Sequence, residues 1–387
     1  MFLLSGAMTV SGTCTTAFEP LRDLLAANLA DGTDLGASVA VLHDGELVAD
    51  LWGGEARPGV PWEEDTVVMV WSVTKPMAAL TTLVLVDRGD LDLDAPVSTY
   101  WPEFRRDDVL VRHLLAHTSG YAGWTEKLDV PGLLDLERSE RMLAEQEPWW
   151  EPGTASGYHM IAYGHLLDGL VRAATGTPLA DHFRTLVAGP LGADFHLGVP
   201  DDVLGRCADL VPPADAGIDY SALPEGNLLI PTVVNPLLDI NHPEHGCNSA
   251  GFRGVSVAGV SGHGNARSIA RAQSVVSHGG EVGGVRLLSD ATVDRIFDVQ
   301  AEGADKVLMA PLRWGIGYGL PSPTTPAIPD GRACWWTGWG GSIVVNDLDS
   351  RTTVAYAMNK MVGAHFISSE RTDAYVRTAF DCVEASA

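Results

Sequence analysis

Apolar positions recur at helical spacing from Phe18 to Leu29 and stop at Asp31-Gly32, which predicts an amphipathic helix closed by a glycine. The runs Ala37 to Leu42 and Leu47 to Trp52 flank Asp44-Gly45, which predicts two strands joined by a tight hairpin. From Pro76 to Arg88 the chain is apolar on nearly every face and halts at Gly89, predicting a buried helix with proline in its first turn. Past residue 90 strand signals thin out, and Val111 to His117, Leu133 to Gln146 and Met160 to Thr175 predict helices. The stretch from Pro200 to Gly262, dense in Pro, Gly and Asn, reads as a long meandering connection. Helical spacing returns at Asn265 to Ser277 and at Ser289 to Val299, where Ser289 is placed to cap the helix. Strand-like runs follow at Trp314 to Leu320, Ile343 to Asn346 and Thr352 to Met358, and Asp373 to Val383 predicts a closing helix.

This order predicts an α/β fold: one antiparallel sheet built from both ends of the chain, flanked by helices, with a mostly helical region inserted between them. The expected division is 15–89 with 256–387 for the sheet part and 90–255 for the insert. A chain of 387 residues, 46% hydrophobic and 19% charged, has ample material for such a core. Its net charge of −25 argues against a nucleic-acid or anionic-membrane partner, because phosphate binding needs clustered cations. The five cysteines are scattered without a C-x-x-C pair, which fits reduced thiols and a cytoplasmic location. Met1 to Leu4 is briefly apolar, but no cation precedes Arg22, so a signal peptide is not expected. The apolar run Met77 to Val86 is too short to span a bilayer.

Chemistry enters through lysine, of which there are four. One, Lys75, follows Ser72 by three residues at a predicted helix start, Ser72-Val73-Thr74-Lys75. That spacing puts the amine and the hydroxyl on one helical face, as an activated nucleophile requires. A serine cap followed by a surface lysine would read the same way. Tyr158 lies at the mouth of a predicted helix, after the turn Glu151-Pro152-Gly153. A neighbouring ammonium is expected to lower its pKa and fit it for proton transfer, the alternative being an aromatic packed at a helix start. The third segment, Trp335-Trp336-Thr337-Gly338-Trp339-Gly340-Gly341-Ser342, is either a glycine-rich hairpin or a strand edge whose N–H groups meet a ligand.

In their order and spacing these three segments resemble the superfamily of class C β-lactamases and penicillin-binding proteins, and more closely the family VIII carboxylesterases. Asp94-Ala95-Pro96-Val97, the stretch from Arg112-His113 through His117-Thr118-Ser119-Gly120, and Arg286-Leu287-Leu288-Ser289 are similar to segments typical of those hydrolases. The resemblance runs from about residue 20 to 380 and implies a β-lactamase-like fold. It implies Ser72 as the acyl-accepting nucleophile, Lys75 and Tyr158 as the proton-transfer pair, and the backbone N–H groups of Ser72 and Trp339 as the oxyanion hole. The sequence departs from the lactamases at two places. Trp336-Thr337-Gly338 stands where they have Lys-Thr-Gly, and His159-Met160 follows Tyr158 where they place an asparagine two residues on. Both changes remove polar handles for a substrate carboxylate or amide and suit a neutral ester in an apolar pocket. The implied reaction is hydrolysis of a small to medium carboxylic ester without a cofactor. Acyl transfer through the same intermediate, or β-lactam and D-amino peptide hydrolysis, are the alternatives.

Candidate substrate contacts are Trp336, Gly338, His159 and Tyr121, with Trp71, Trp124, Trp149, Trp150 and Trp339 nearby in the motif segments. A Gly-x-Ser-x-Gly elbow is absent. His113 and His117 share i,i+4 spacing but lack the accompanying glutamate, and His242, His245 and Cys247 cluster in a presumed surface loop, so no metal is expected.

Overall fold

The computed structural model describes residues 10–213, 223, 226–236, 240–363 and 367–386. Strand β1 (Ser11–Cys14) leads into helix α1 (Glu19–Asp31), which ends at Gly32 with φ 78°. Strands β2 (Gly36–His43) and β3 (Glu46–Arg57) form the expected hairpin. Asp44 and Gly45 both take positive φ, as a two-residue turn between twisted strands requires. Helix α2 (Thr74–Asp87) follows, buried from Thr74 to Leu85. After the helical middle come α3 (Ala162–Thr175) and α4 (Ala266–Ser277), the latter capped by the Asn265 side chain on the Ser268 N–H. Strands β4 (Ala333–Thr337), β5 (Ile343–Asp347) and β6 (Thr352–Met358) and helix α5 (Glu370–Ser386) complete the chain.

The strands join in the order β1-β3-β2-β6-β5-β4, all neighbours antiparallel, with the short strand Val60–Pro61 beside β3. The two ends of the chain therefore meet at the β2–β6 pair, where Ala40 faces Ala355. Helix α4 packs on β2, β5 and β6 from one face, with α2 beyond it, while α1 and α5 cover the other. With both faces covered, β6 is buried at all seven positions, which accounts for the apolar run Val354–Met358, while the Thr353 hydroxyl donates to the Asn346 side chain.

Several expectations need correction. The helix read as Val111 to His117 ends at Leu115, and His117 takes a left-handed φ of 60°. His113 and His117 therefore do not share a helical face. The single helix read over 133–146 is two, Val130–Leu134 and Leu136–Glu145, with Asp135 capping the second through the Arg138 N–H. The strand read over 314–320 is displaced: Pro311–Trp314 pairs with Ala301–Ala304, and Gly319 makes only isolated bridges, to Trp314 and to Trp335. Of the two readings of the Trp335–Ser342 segment, the strand edge holds for its start, since Ala333–Thr337 is the edge strand of the main sheet. Ser289 caps its helix as expected, accepting from the Thr292 N–H. Within the long connection the described parts hold the short helices Leu229–Val234 and Ala250–Arg253; residues 214–222, 224–225 and 237–239 of that reading, and Met1 to Leu4, lie outside the described residues.

Candidate active site

Ser72 sits in a single tight helical turn, Trp71–Val73, immediately before α2. Trp71 is forced to φ 49°, an expensive conformation for a residue with a side chain, and the turn around it is over-determined. The Thr74 hydroxyl donates to the Trp71 carbonyl at 2.5 Å and accepts from the Gly262 N–H at 2.9 Å. On the other side Gly338 presses against the same turn, so closely that a Cβ there would overlap the Val70 carbonyl oxygen. The hydroxyl is thereby fixed where the sheet edge, α2 and the helical middle meet, and Ser72 keeps 7% exposure.

Lys75, one turn along the same helix, is only 1% exposed. Its Nζ lies 3.0 Å from Ser72 Oγ and donates to the carbonyls of Met160 at 2.7 Å and Gly259 at 2.9 Å. Carbonyl oxygens can only accept, so they hold two protons of the nitrogen. In the neutral amine the third direction, toward Ser72, is the lone pair. Burial pushes the Lys75 pKa well below that of an ordinary lysine, so the fold favours this proton-accepting form.

Tyr158 arrives from the turn before α3, across 83–86 residues of chain, and its ring lies 4.7 Å from Lys75 Nζ. Its hydroxyl accepts from Trp336 Nε1 at 2.9 Å and lies near enough to the Ser72 side chain to be influenced by it electrostatically. The expectation that a lysine would lower its pKa is not met. Burial dominates and raises it above the ordinary tyrosine value, with the Ser72 side chain and the Trp336 hydrogen bond opposing that rise. The arrangement permits a donor order from Trp336 N–H to the Tyr158 oxygen and from Ser72 O–H to neutral Lys75, with Tyr158 beside Ser72.

Asp305 was not singled out by any sequence motif, yet it anchors this arrangement. Its carboxylate is buried and accepts from the N–H groups of Tyr158, Val307 and Leu308, each at 3.0 Å, and from Trp314 Nε1 at 3.3 Å. The Trp314 ring in turn stacks on Tyr158, 6.0 Å between centroids and 9° from parallel. One carboxylate thus holds Tyr158 by its backbone and by the face of its ring.

The remaining expected contacts divide. Trp336 reaches the centre, through Tyr158. Gly338 is present to allow close approach to the Ser72 turn. Trp339 follows it in the chain, and its half-buried ring meets that of Trp71, the chain neighbour of Ser72, edge-on at 5.0 Å. His159 is corrected: it is fully buried, with Nδ1 bonded to the Gly157 carbonyl at 2.7 Å and Nε2 to Ser119 Oγ at 2.6 Å. Both nitrogens are used inside the protein, and burial lowers its pKa to about 3, so it is a neutral strut. The His159 backbone N–H donates to His117 Nδ1 at 3.1 Å. Tyr121 packs its ring on Phe104 at 4.7 Å and is fully buried in the core, so it too is corrected as a substrate contact. Trp124 is likewise core, its indole donating to the Ser139 carbonyl. No metal-holding group of His, Cys, Asp or Glu occurs among the described residues, and His242 Nδ1 accepts from the N–H groups of Glu244 and His245.

The Beta-lactamase family model matches residues 21–376. Esterase/beta-lactamase LipL of Mycobacterium tuberculosis (strain ATCC 25618 / H37Rv) is 32% identical over 350 residues, covering 84% of this chain and 77% of that protein. Esterase EstB of Burkholderia gladioli is 35% identical over 215 residues, 48% of this chain and 54% of its own length. The crystal structure of a family VIII carboxylesterase superposes with a TM-score of 0.89 at 34% identity, covering 97% of this chain and 100% of the other. A penicillin-binding protein homolog from Caulobacter crescentus superposes with a TM-score of 0.86 at 31% identity, again over 97% of this chain. Matched over nearly its whole length in sequence and in backbone, the chain belongs to the beta-lactamase family.

Proposed function

We propose that the protein is a serine carboxylesterase that hydrolyses small to medium neutral esters through an acyl-Ser72 intermediate. The observation that carries this reading is the buried cluster of Trp336, Tyr158, Ser72 and Lys75. It places a deprotonatable amine within hydrogen-bond reach of a hydroxyl, with a phenol ring 4.7 Å from the amine and itself held by Trp336. Neutral Lys75 takes the Ser72 proton as Oγ adds to the ester carbonyl. The Ser72 and Trp339 N–H groups receive the oxyanion, a pair of donors that lowers the barrier by roughly 3 kcal/mol. As the carbon–alkoxy bond breaks, Tyr158 gives its proton to the departing oxygen and recovers one from the Lys75 ammonium. In net, one proton passes from Ser72 to the alcohol and both side chains are restored. In the second half water loses a proton along the same path, adds to the acyl carbon, and the acid leaves as Ser72 regains its proton.

Trp336 supports an ester over a carboxylate-bearing substrate. Its indole carries no charge to pair with a carboxylate, and its one donor is already committed to Tyr158. A second reading, β-lactam hydrolysis, is favoured by the name of LipL, which couples the two activities. We also propose a cytoplasmic location and no nucleic-acid partner. The five cysteines are free, four of them buried, and the net charge is −25. No helix among the described residues is long and apolar enough to cross a membrane.

The test is a panel of p-nitrophenyl esters of increasing chain length alongside nitrocefin, with intact mass spectrometry and peptide mapping. The proposal expects an acyl adduct on the Ser72 peptide and faster turnover of esters. Nitrocefin turnover well above that of any ester would transfer the assignment to the second reading, and an adduct elsewhere would end both.

A further inference from the structure

The segment that carries Trp339 is a glycine turn, and glycine turns are loose unless something holds them. The Gly341 N–H donates to the Gly338 carbonyl at 3.0 Å, closing a four-residue turn with Trp339 and Gly340 at its centre. Gly340 takes φ 96° and Gly341 φ 128°, conformations open to glycine and costly for other residues, so the turn has no side chains of its own at these positions to brace it. The outside contacts come from the far end of the sequence. Arg371, in the first turn of α5, donates from Nη2 to the Gly340 carbonyl at 2.6 Å, and Thr372 Oγ1 donates to the Gly341 carbonyl at 2.9 Å. The Val362 N–H also donates to the Gly340 carbonyl at 3.1 Å. A Cβ on Gly341 would crowd Arg371 Nη2, and one on Gly340 would crowd Met361, so the two glycines and the arginine are fitted to each other.

Arg371 is itself immobilised in a buried polar hub. Its Nη1 meets Asp34 Oδ1 at 3.1 Å and the carbonyls of Thr33 and Lys360 at 3.1 and 2.9 Å. Asp34 is fully buried and accepts from the hydroxyls of Tyr356 at 2.5 Å and Tyr375 at 2.7 Å. A buried ion pair is a poor device for stability alone, since apolar replacements of the same shape usually serve as well. Directionality is what a planar guanidinium adds: it binds a carboxylate on one nitrogen and a chosen carbonyl on the other.

We propose that Arg371, held by Asp34, is a positioning residue for the oxyanion hole, fixing the Gly340 carbonyl and with it the direction in which the Trp339 N–H points. The inference rests on the esterase reading of Ser72 and Trp339. It touches no substrate; it acts through the turn, with Thr372 as the second anchor.

The test compares the parent chain with Asp34→Asn/Arg371→Met, which removes both charges together and leaves no buried charge unpaired. Folding is followed by circular dichroism, the active fraction by titration to completion with a fluorophosphonate, and kcat and KM with p-nitrophenyl butyrate per titrated site. Misdirecting one oxyanion donor predicts a kcat lower by roughly 10- to 100-fold with KM changed less than about threefold. A merely structural role would lower the active fraction or the melting temperature and leave kcat per site alone. A kcat within about twofold of the parent in the folded double variant overturns the proposal while leaving the esterase reading in place. A parent chain that never acylates Ser72 removes the esterase reading and this one with it. Thr372→Val supplies a measurement that does not depend on the ion pair. It deletes one anchor without a charge and is expected to lower kcat by about threefold to tenfold, and an unchanged kcat there counts against the proposal in the same way.

Discussion

Replacing Trp336 with phenylalanine isolates one hydrogen bond in the proposed proton path. The change keeps an aromatic ring against Trp314 and Tyr158, 4.5 and 5.0 Å away, and deletes the N–H that lies 2.9 Å from the Tyr158 oxygen. In the resting enzyme that oxygen is a neutral phenol, because burial holds its proton in place. In the acylation transition state it becomes anionic as the proton passes to the alkoxy leaving group. A hydrogen bond to a charged acceptor contributes about 2 kcal/mol, so its loss should lower kcat/KM roughly 30-fold when proton donation is needed. An aliphatic alkoxide needs that proton, whereas a p-nitrophenolate departs without it. The assay is therefore kcat/KM for ethyl butyrate against p-nitrophenyl butyrate, in the parent and in Trp336→Phe. The same acyl group is used throughout, and kcat/KM reports acylation alone. The prediction is a roughly 30-fold loss on the ethyl ester and at most a fewfold loss on the activated one. Any packing defect is common to both substrates and cancels in the ratio. Equal losses on the two esters would refute the role given to Tyr158 and Trp336.

Three further outcomes follow from the same geometry. Lys75 is depressed by burial, so between its folded value and the unfolded value near 10.4 the unfolded chain holds more protons and parent stability rises with pH. Lys75→Met should therefore be inactive yet more stable than the parent to urea at pH 7, by a margin that shrinks toward about pH 10; a margin independent of pH would contradict the neutral amine. Gly338→Ala places a methyl against the Val70 carbonyl and must spread the sheet edge from the Ser72 turn. It should cost about 1–3 kcal/mol of stability by urea titration and slow acylation, and parent-like rates would show that the close approach is dispensable. Asp305→Ala orphans three backbone N–H groups and an indole, each costing about 1–3 kcal/mol when buried without a partner, whereas Asp305→Asn keeps one acceptor oxygen. The alanine variant should be markedly the less stable and less active of the two, and indistinguishable melting curves would remove the anchoring role.

Much of this was legible in the sequence because local signals and global demands agreed. The Asp44-Gly45 turn, the Gly32 helix stop and the Ser289 cap each satisfy a backbone requirement that no distant residue has to supply. Ser72 and Lys75 were readable for the same reason: one helical turn sets their spacing. Tyr158 and Trp336 lie 86 and 264 residues beyond Ser72, and only the resemblance to known hydrolases connected them. What escaped was set by tertiary contact. Trp335 and Trp336 left a hairpin and a strand edge both open because Gly338, Gly340 and Gly341 dilute the strand pattern, and pairing with Val345 and Val344 decides for the edge strand. His117 breaks its helix because its ring is drawn among Tyr158, Tyr163 and Trp314. His159 read as a ligand contact because its partners, Ser119 and Gly157, are identified only once the loop is folded. Asp305, Asp34 and Arg371 are ordinary charged residues in sequence, and only burial distinguishes them.

The rate at which a fluorophosphonate labels the protein, followed from acid to alkaline pH in the parent and in Lys75→Ala, bears most directly on the claim that a buried neutral amine activates Ser72. Labelling confined to the Ser72 peptide is predicted, faster as pH rises through the depressed Lys75 value and slower by on the order of 100-fold or more in the variant. Equal labelling of the two chains, or a phosphonylated residue other than Ser72, would contradict it.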